Sequence, residues 1–235
     1  MRLLLVNPNT TAAMTEEMAV AARSVASPDV EIEPVTARRG VASIDGYHDE
    51  LLGAAAVAEA IEEHDGDFDG AIVACFGDPG LYAARELTRA PVVGIAEASF
   101  LLASTLGERF SILTTLERGV PPLADVVRLY GFEPRCASIR ATGLTVLEAD
   151  AEPERAADAL EQVGQTAIRE DHADVICLGC GGMVGLRERL EERLGVPVIE
   201  GVPAAVGVVQ ALIRAGLRTS KARGFKQPEP NAYTA

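Results

Sequence analysis

Two cysteines stand where a side chain can act on a ligand. Cys75 closes the apolar run AIVAC (71–75) and is followed by Phe-Gly-Asp-Pro-Gly. Cys180 closes VICLGC (175–180) and is followed by Gly-Gly-Met. A thiol at a strand exit beside a helix start has its thiolate stabilised by main-chain N–H groups, and its pKa falls below the free value of about 8.5. Gly77 after the first cysteine, and Gly181 and Gly182 after the second, let the backbone approach a ligand closely. Their N–H groups can hold a carboxylate or an enolate oxygen. Asn9, Thr10, Thr114 and Thr115 add short polar side chains at two further strand ends.

Two thiols facing one ligand from opposite sides suit one reaction well. A thiolate removes a proton from a carbon beside a carbonyl, and N–H donors hold the planar enolate. The opposite thiol then returns a proton to the other face and inverts the centre. General acid–base catalysis needs groups that titrate near the working pH, and a tuned cysteine qualifies. No redox or acyl-transfer cofactor is required, and the sequence shows no cluster of metal ligands.

The elements that would position these residues are short Val/Ile/Leu runs alternating with segments of helical period. Strands are predicted over 2–7, 30–35, 70–75, 92–95, 111–114, 135–139, 175–179 and 198–200. Helices are predicted over 11–27, 49–64, 79–89, 98–106, 119–130, 152–170, 183–194 and 203–215. Several strands are apolar at successive positions, the pattern of parallel strands covered on both faces. The expected fold is α/β, with doubly wound parallel sheets.

The chain also repeats itself. Asp69 and Asp174 each lie six residues before their cysteine, and PVVGIAEAS and PVIEGVPAA follow the two cysteines at nearly equal distance. Counting back 66 residues from each cysteine reaches Asn9 and Thr114. Two similar α/β halves are expected, covering 1–97 and 98–203, with a helix near 204–218 returning to the first and an extended tail over 219–235. Ligands of open α/β sheets bind outside the carboxyl ends of the strands. Two such halves facing each other would bring Cys75 and Cys180 to one cleft.

Composition narrows the partners. The 235 residues carry a net charge of −14, which argues against nucleic acid as a partner. No apolar run reaches the roughly 18–20 residues of a membrane span. The opening MRLLLVNPNTT reads as a first strand rather than a signal peptide, so a cytoplasmic location with reduced cysteines is expected.

The motifs NPNTTAAMT, SIDGYHDE (43–50), ACFGDPGLYAARE (74–86), PVVGIAEA (91–98), FSILTTL (110–116) and LGCGGM (178–183) together resemble the Asp/Glu/hydantoin racemase superfamily, in its hydantoin and allantoin racemase branch. The resemblance implies an acid–base cysteine pair matching Cys75 and Cys180. It implies ligand contacts at Asn9, Thr10, Phe76, Gly77, Thr114, Thr115, Gly181 and Gly182. It further implies Rossmann-like halves related by a pseudo-twofold axis, no metal or cofactor, a small-molecule substrate and assembly into homo-oligomers. One departure from the family pattern is Gly181, where Ala is commoner; it loosens the loop and keeps its N–H donors. A 5-substituted hydantoin fits the chemistry, since its C5 hydrogen lies beside a ring carbonyl and no α-carboxylate or ammonium needs a salt-bridging partner.

Plainer roles fall to other residues. Cys136 and Cys177 sit inside strand-like runs and read as buried apolar side chains. The CLGC pair (177–180) matches a redox or metal pattern only if both sulfurs are exposed together. His48 reads as a surface or capping residue, with a lid contact implied by the resemblance; His64 and His172 are expected to face solvent. Asp78 is expected to cap a helix starting at Pro79. The rival functions are an aspartate or glutamate racemase, a related decarboxylase or maleate-type isomerase, and, from another class, a thiol-redox or ligand-binding protein.

Overall fold

The computed structural model describes residues 1–229. The first half runs β1 (Arg2–Asn7), α1 (Ala12–Val25), β2 (Glu31–Thr36), α2 (Tyr47–Glu62), β3 (Gly70–Val73), α3 (Leu81–Leu87) and β4 (Val92–Gly94). α4 (Ile95–Leu106) leads on to β5 (Phe110–Thr114), α5 (Val120–Leu129), β6 (Cys136–Ala141), α6 (Val146–Ala151), α7 (Pro153–Glu170), β7 (Val175–Leu178), α8 (Arg187–Leu194), β8 (Val198–Glu200) and α9 (Gly201–Arg214). Two parallel four-stranded sheets result, ordered β2-β1-β3-β4 and β6-β5-β7-β8, so the second repeats the topology of the first. No helix among the described residues is long and apolar enough to cross a membrane.

The unbroken apolar strands explain the layering. In β1, Leu3 and Leu5 join the central cluster while Leu4 and Val6 join an outer one, so both faces are covered. In β7, Val175 and Cys177 point to the central cluster and Ile176 and Leu178 to the opposite outer one. The central cluster thus belongs to both sheets, and α4 and α9 fill it. Each fully buried Leu or Ile there contributes roughly 1.5–3 kcal/mol relative to exposure. α4 leaves the first sheet and packs against β7 and β8, while α9 returns to β3 and β4. This exchange of helices draws the carboxyl ends of the two sheets together.

The repeated aspartates do the same work in each half. Asp69 accepts from the N–H of Arg2 at 2.8 Å, at the start of β1. Asp174 accepts from the N–H groups of Glu108 and Arg109, both at 3.0 Å, at the start of β5. The register corrects the count of 66, however. Val6 pairs with Val73, and Leu113 with Leu178, each two residues before its cysteine. Thr114 therefore corresponds to Asn7 rather than Asn9.

Several boundaries shift for local reasons. α3 starts at Leu81 and not at Pro79, because Asp78 (φ 46) and Gly80 (φ 73) take left-handed conformations that no helix continues. α8 starts at Arg187 and not at 183; the Glu200 carboxyl accepts the Arg187 N–H at 2.9 Å and sets the start there. α6 went unpredicted, although Thr145-Val-Leu-Glu148 is a capping-box sequence, and both reciprocal bonds are formed. His64 is not exposed: its side chain retains 9% of its accessible surface and packs edge-on against Phe68. The described part of the tail packs on its own chain. Thr219 bonds to the carbonyls of Arg89 and Ala90 at 3.0 and 2.8 Å, and the Phe225 ring lies 5.4 Å from that of Tyr82. Residues 230–235 lie outside the described residues.

Candidate active site

Each cysteine leaves a sheet through a short turn. Beyond β3, the N–H of Ala74 still bonds to the Val6 carbonyl at 2.9 Å. The chain then turns so that the Asp78 N–H bonds to the Cys75 carbonyl at 2.9 Å. Phe76 is driven into the core against Phe100 of α4, whose ring stacks on Phe110 of β5 at 5.1 Å. Asp78 does not cap α3. Its carboxylate accepts from the N–H groups of Ala96 and Glu97, at 3.0 and 2.9 Å, and so caps α4 from a distance. The Tyr130 hydroxyl, just beyond α5, also donates to it at 3.0 Å. Burial pushes this carboxyl up to about 7, against the three donors that favour the anion. The turn carrying Cys75 is thereby tied to two elements that lead into the second half.

The second turn approaches the first. The N–H of Gly179 bonds to the Leu113 carbonyl at 2.7 Å, and the N–H of Met183 bonds to the Cys180 carbonyl at 3.2 Å. Gly181 lies so close to the Ala74 carbonyl that a Cβ there would stand 2.7 Å from its oxygen. Gly181 therefore does more than loosen its loop: without a side chain, it lets the two cysteine turns meet.

Where they meet, a narrow cavity of ≈ 50 Å³ opens, and Cys75 and Cys180 both line it. Phe76, Gly77, Thr114, Thr115, Gly179 and Gly181 line it too. Pro122, Leu123 and Val146 give it an apolar side, and Ile44, Asp45, Gly46 and Glu50 close another. The 44–50 segment bridges to the second half: the Tyr47 hydroxyl donates to Asp125 at 2.6 Å, and Arg118 lies 3.7 Å from Asp49. Among the described residues, no group of three or more His, Cys, Asp or Glu side chains is placed to hold a metal ion.

The electrostatics differ from the sequence expectation. Cys75 does not sit at a helix start, since α3 begins at Leu81. Burial pushes its thiol up, the Gly77 N–H works against that, and charge on Cys180, Glu50 and Asp78 adds to the rise. Burial likewise raises Cys136 to about 11 and pushes Cys177 up. Cys177 is fully buried in the central layer, so the CLGC pair does not present both sulfurs to one surface.

Of the residues expected at the site, Cys75, Phe76, Gly77, Thr114, Thr115, Cys180 and Gly181 come together. Asn9, Thr10 and Gly182 do not line the cavity. The Asn9 side chain is spent on its own turn, accepting from the Thr11 N–H and the Asn7 amide, both at 2.9 Å. The Thr10 hydroxyl turns to the Val41 carbonyl at 3.2 Å. His48 is exposed on the first turn of α2, outside the lining. Asp45 and Glu50 also line the cavity; both lie in the SIDGYHDE motif, which marked the segment without singling out either acid.

The match to the Asp/Glu/hydantoin racemase family model runs over residues 3–209. The chain belongs to that family. The hydantoin racemase of Pseudomonas sp. (strain NS671) is 44% identical over 234 residues, covering 99% of this chain and 94% of the relative. The crystal structure of an allantoin racemase from Pseudomonas fluorescens superposes with a TM-score of 0.98 at 46% identity, covering 100% of both chains. The allantoin racemase of Klebsiella pneumoniae gives a TM-score of 0.96 at 43% identity, covering 100% of this chain and 96% of the other. Membership accounts for the repeated sheet topology, and the family's α/β architecture is the one expected from the alternating strands.

Proposed function

We propose that the protein is a cofactor-independent racemase of 5-monosubstituted hydantoins or allantoin, in which Cys75 and Cys180 exchange protons with C5 from opposite faces. The observation that carries this reading is the pair of cysteines at equivalent strand ends lining one cavity. One cysteine, as thiolate, removes the C5 proton. The resulting enolate oxygen is held by the Thr115 hydroxyl and main-chain N–H groups of the Cys180 turn. The other cysteine, as thiol, delivers a proton to the opposite face. Such a pair needs one proton between two sulfurs. Burial of Cys75 and its repulsion by charge on Cys180 favour that state, because two thiolates would repel strongly there. Homo-oligomeric assembly belongs to the same proposal.

The cavity's charges weigh against an aspartate or glutamate racemase. Asp45 and Glu50 stand in its wall, and they would repel the two carboxylates of such a substrate. A hydantoin carries no carboxylate and meets no such penalty.

The test is to incubate single enantiomers of hydantoins and of allantoin in deuterium oxide with the protein. C5–H exchange is followed by proton NMR, and optical activity by circular dichroism. Exchange accompanied by loss of optical activity, both faster than in buffer, is expected. No acceleration with any member of the panel would end the proposal.

A further inference from the structure

Glu50 lines the cavity that holds the two thiols, yet the proton exchange at C5 gives it no task. It stands on the first turn of α2, where its N–H bonds to the Gly46 carbonyl at 3.0 Å. Its side chain reaches over the Cys75 turn, with Oε1 2.5 Å from where a Cβ on Gly77 would stand. The Gly77 N–H is the one that bonds to the Cys75 sulfur, so the carboxyl borders that thiol, and charge on it raises Cys75. Among the described residues, no hydrogen bond or ion pair holds the Glu50 carboxyl. The residue is half-buried, so it meets both the cavity and solvent.

We propose that Glu50 is a proton relay that returns the thiol pair to its starting state between turnovers. This rests on the two-base reading above. Each inversion leaves the pair reversed: the sulfur that took the C5 proton is now the thiol, and the sulfur that gave its proton is the thiolate. The same enantiomer cannot react again until that proton has moved back. With a ring bound between them, the sulfurs face opposite sides of it and cannot exchange directly. Once product leaves, the thiol passes its proton to the Glu50 carboxylate, and the carboxyl passes a proton to the other sulfur. One S–H bond breaks and one forms, an O–H bond on Glu50 forms and breaks, and the net charge is unchanged. Proton transfer works best between groups of similar acidity. Burial, then charge on Asp125 of α5 and on Asp49 of the same helix, pushes the Glu50 carboxyl up, towards the range of the thiols.

The experiment measures initial racemisation rates over a range of concentrations of one enantiomer, for wild type, Glu50→Gln and Glu50→Asp. Thermal unfolding of each variant confirms the fold. The return of the free enzyme enters kcat but not kcat/KM. Glu50→Gln should therefore lower kcat about tenfold or more and leave kcat/KM within about twofold. The product enantiomer should inhibit this variant noncompetitively, because it binds the other protonation state of the free enzyme. Imidazole buffer should restore kcat, and Glu50→Asp, which keeps a carboxyl, should retain more of it than Glu50→Gln. A parallel fall in kcat and kcat/KM would place Glu50 on the bound substrate and overturn the relay. So would an unchanged kcat, or a loss that imidazole does not relieve. A wild type that racemises neither hydantoins nor allantoin overturns the function itself, whereas an active wild type with any of those Glu50 results overturns only the relay.

Discussion

Replacing either thiol by a hydroxyl separates the two halves of the proton exchange. In Cys75→Ser the hydroxyl can keep the Gly77 N–H that the sulfur accepts. The turn also keeps the Asp78 bonds to Ala96, Glu97 and Tyr130. The fold should therefore change by less than about 1 kcal/mol. Catalysis should not survive as well. The burial that pushes the Cys75 thiol up opposes an alkoxide still more, since a hydroxyl starts as the weaker acid. General acid–base catalysis is worth about 10²–10⁴-fold, and each tenfold corresponds to about 1.36 kcal/mol of barrier. Racemisation should fall by about that factor in Cys75→Ser and again, separately, in Cys180→Ser. The assay takes each enantiomer of one hydantoin in deuterium oxide and follows C5–H exchange and optical activity together. Each variant should still exchange the enantiomer whose proton its remaining thiolate faces, while failing to invert it. The two variants should show opposite preferences. If either racemises within about tenfold of wild type while correctly folded, the two-base reasoning is wrong.

The pH dependence follows from the same site: kcat/KM should rise with pH as one thiolate forms. Burial around Cys75 and charge on Cys180 should keep one sulfur of the pair protonated, so no falling limb should appear below about pH 10. A bell centred near neutrality would contradict that. Asp78→Ala removes the acceptor for two α4 N–H groups and the Tyr130 hydroxyl, and should cost about 2–4 kcal/mol in urea unfolding. A loss under about 1 kcal/mol would show that the distant cap is dispensable. Size-exclusion chromatography with light scattering should find an assembly larger than the 24.7 kDa chain, consistent with exposed Val20, Leu101 and Leu106; a monomer at micromolar concentration would refute the oligomer.

Much of the fold was legible because its signals are local. Leu3 to Val6 are apolar at every position, which only a strand covered on both faces requires, and β1 is such a strand. The two cysteines were legible because each ends such a run beside glycines. What failed depended on backbone angles or on distant partners. Nothing near Asp78 in the chain says that it caps α4, because its donors Ala96 and Glu97 arrive only when β4 lies beside β3. The thiol pKa was expected to fall from a nearby helix start. The left-handed turn at 78–80 moved that helix away and left burial to dominate.

By itself, then, the sequence determined the strand–helix alternation, the duplicated topology and the thiols at two strand ends, because periodicity and turn chemistry act over a few residues. Tertiary structure alone decided the rest. The exchange of α4 and α9 between the sheets, and the contact of Gly181 with Ala74, made one cavity of two strand ends. The same folding turned Asn9 and Thr10 away and brought Asp45 and Glu50 in. Which side chains share a cavity depends on how separate elements pack, and no spacing along the chain encodes that.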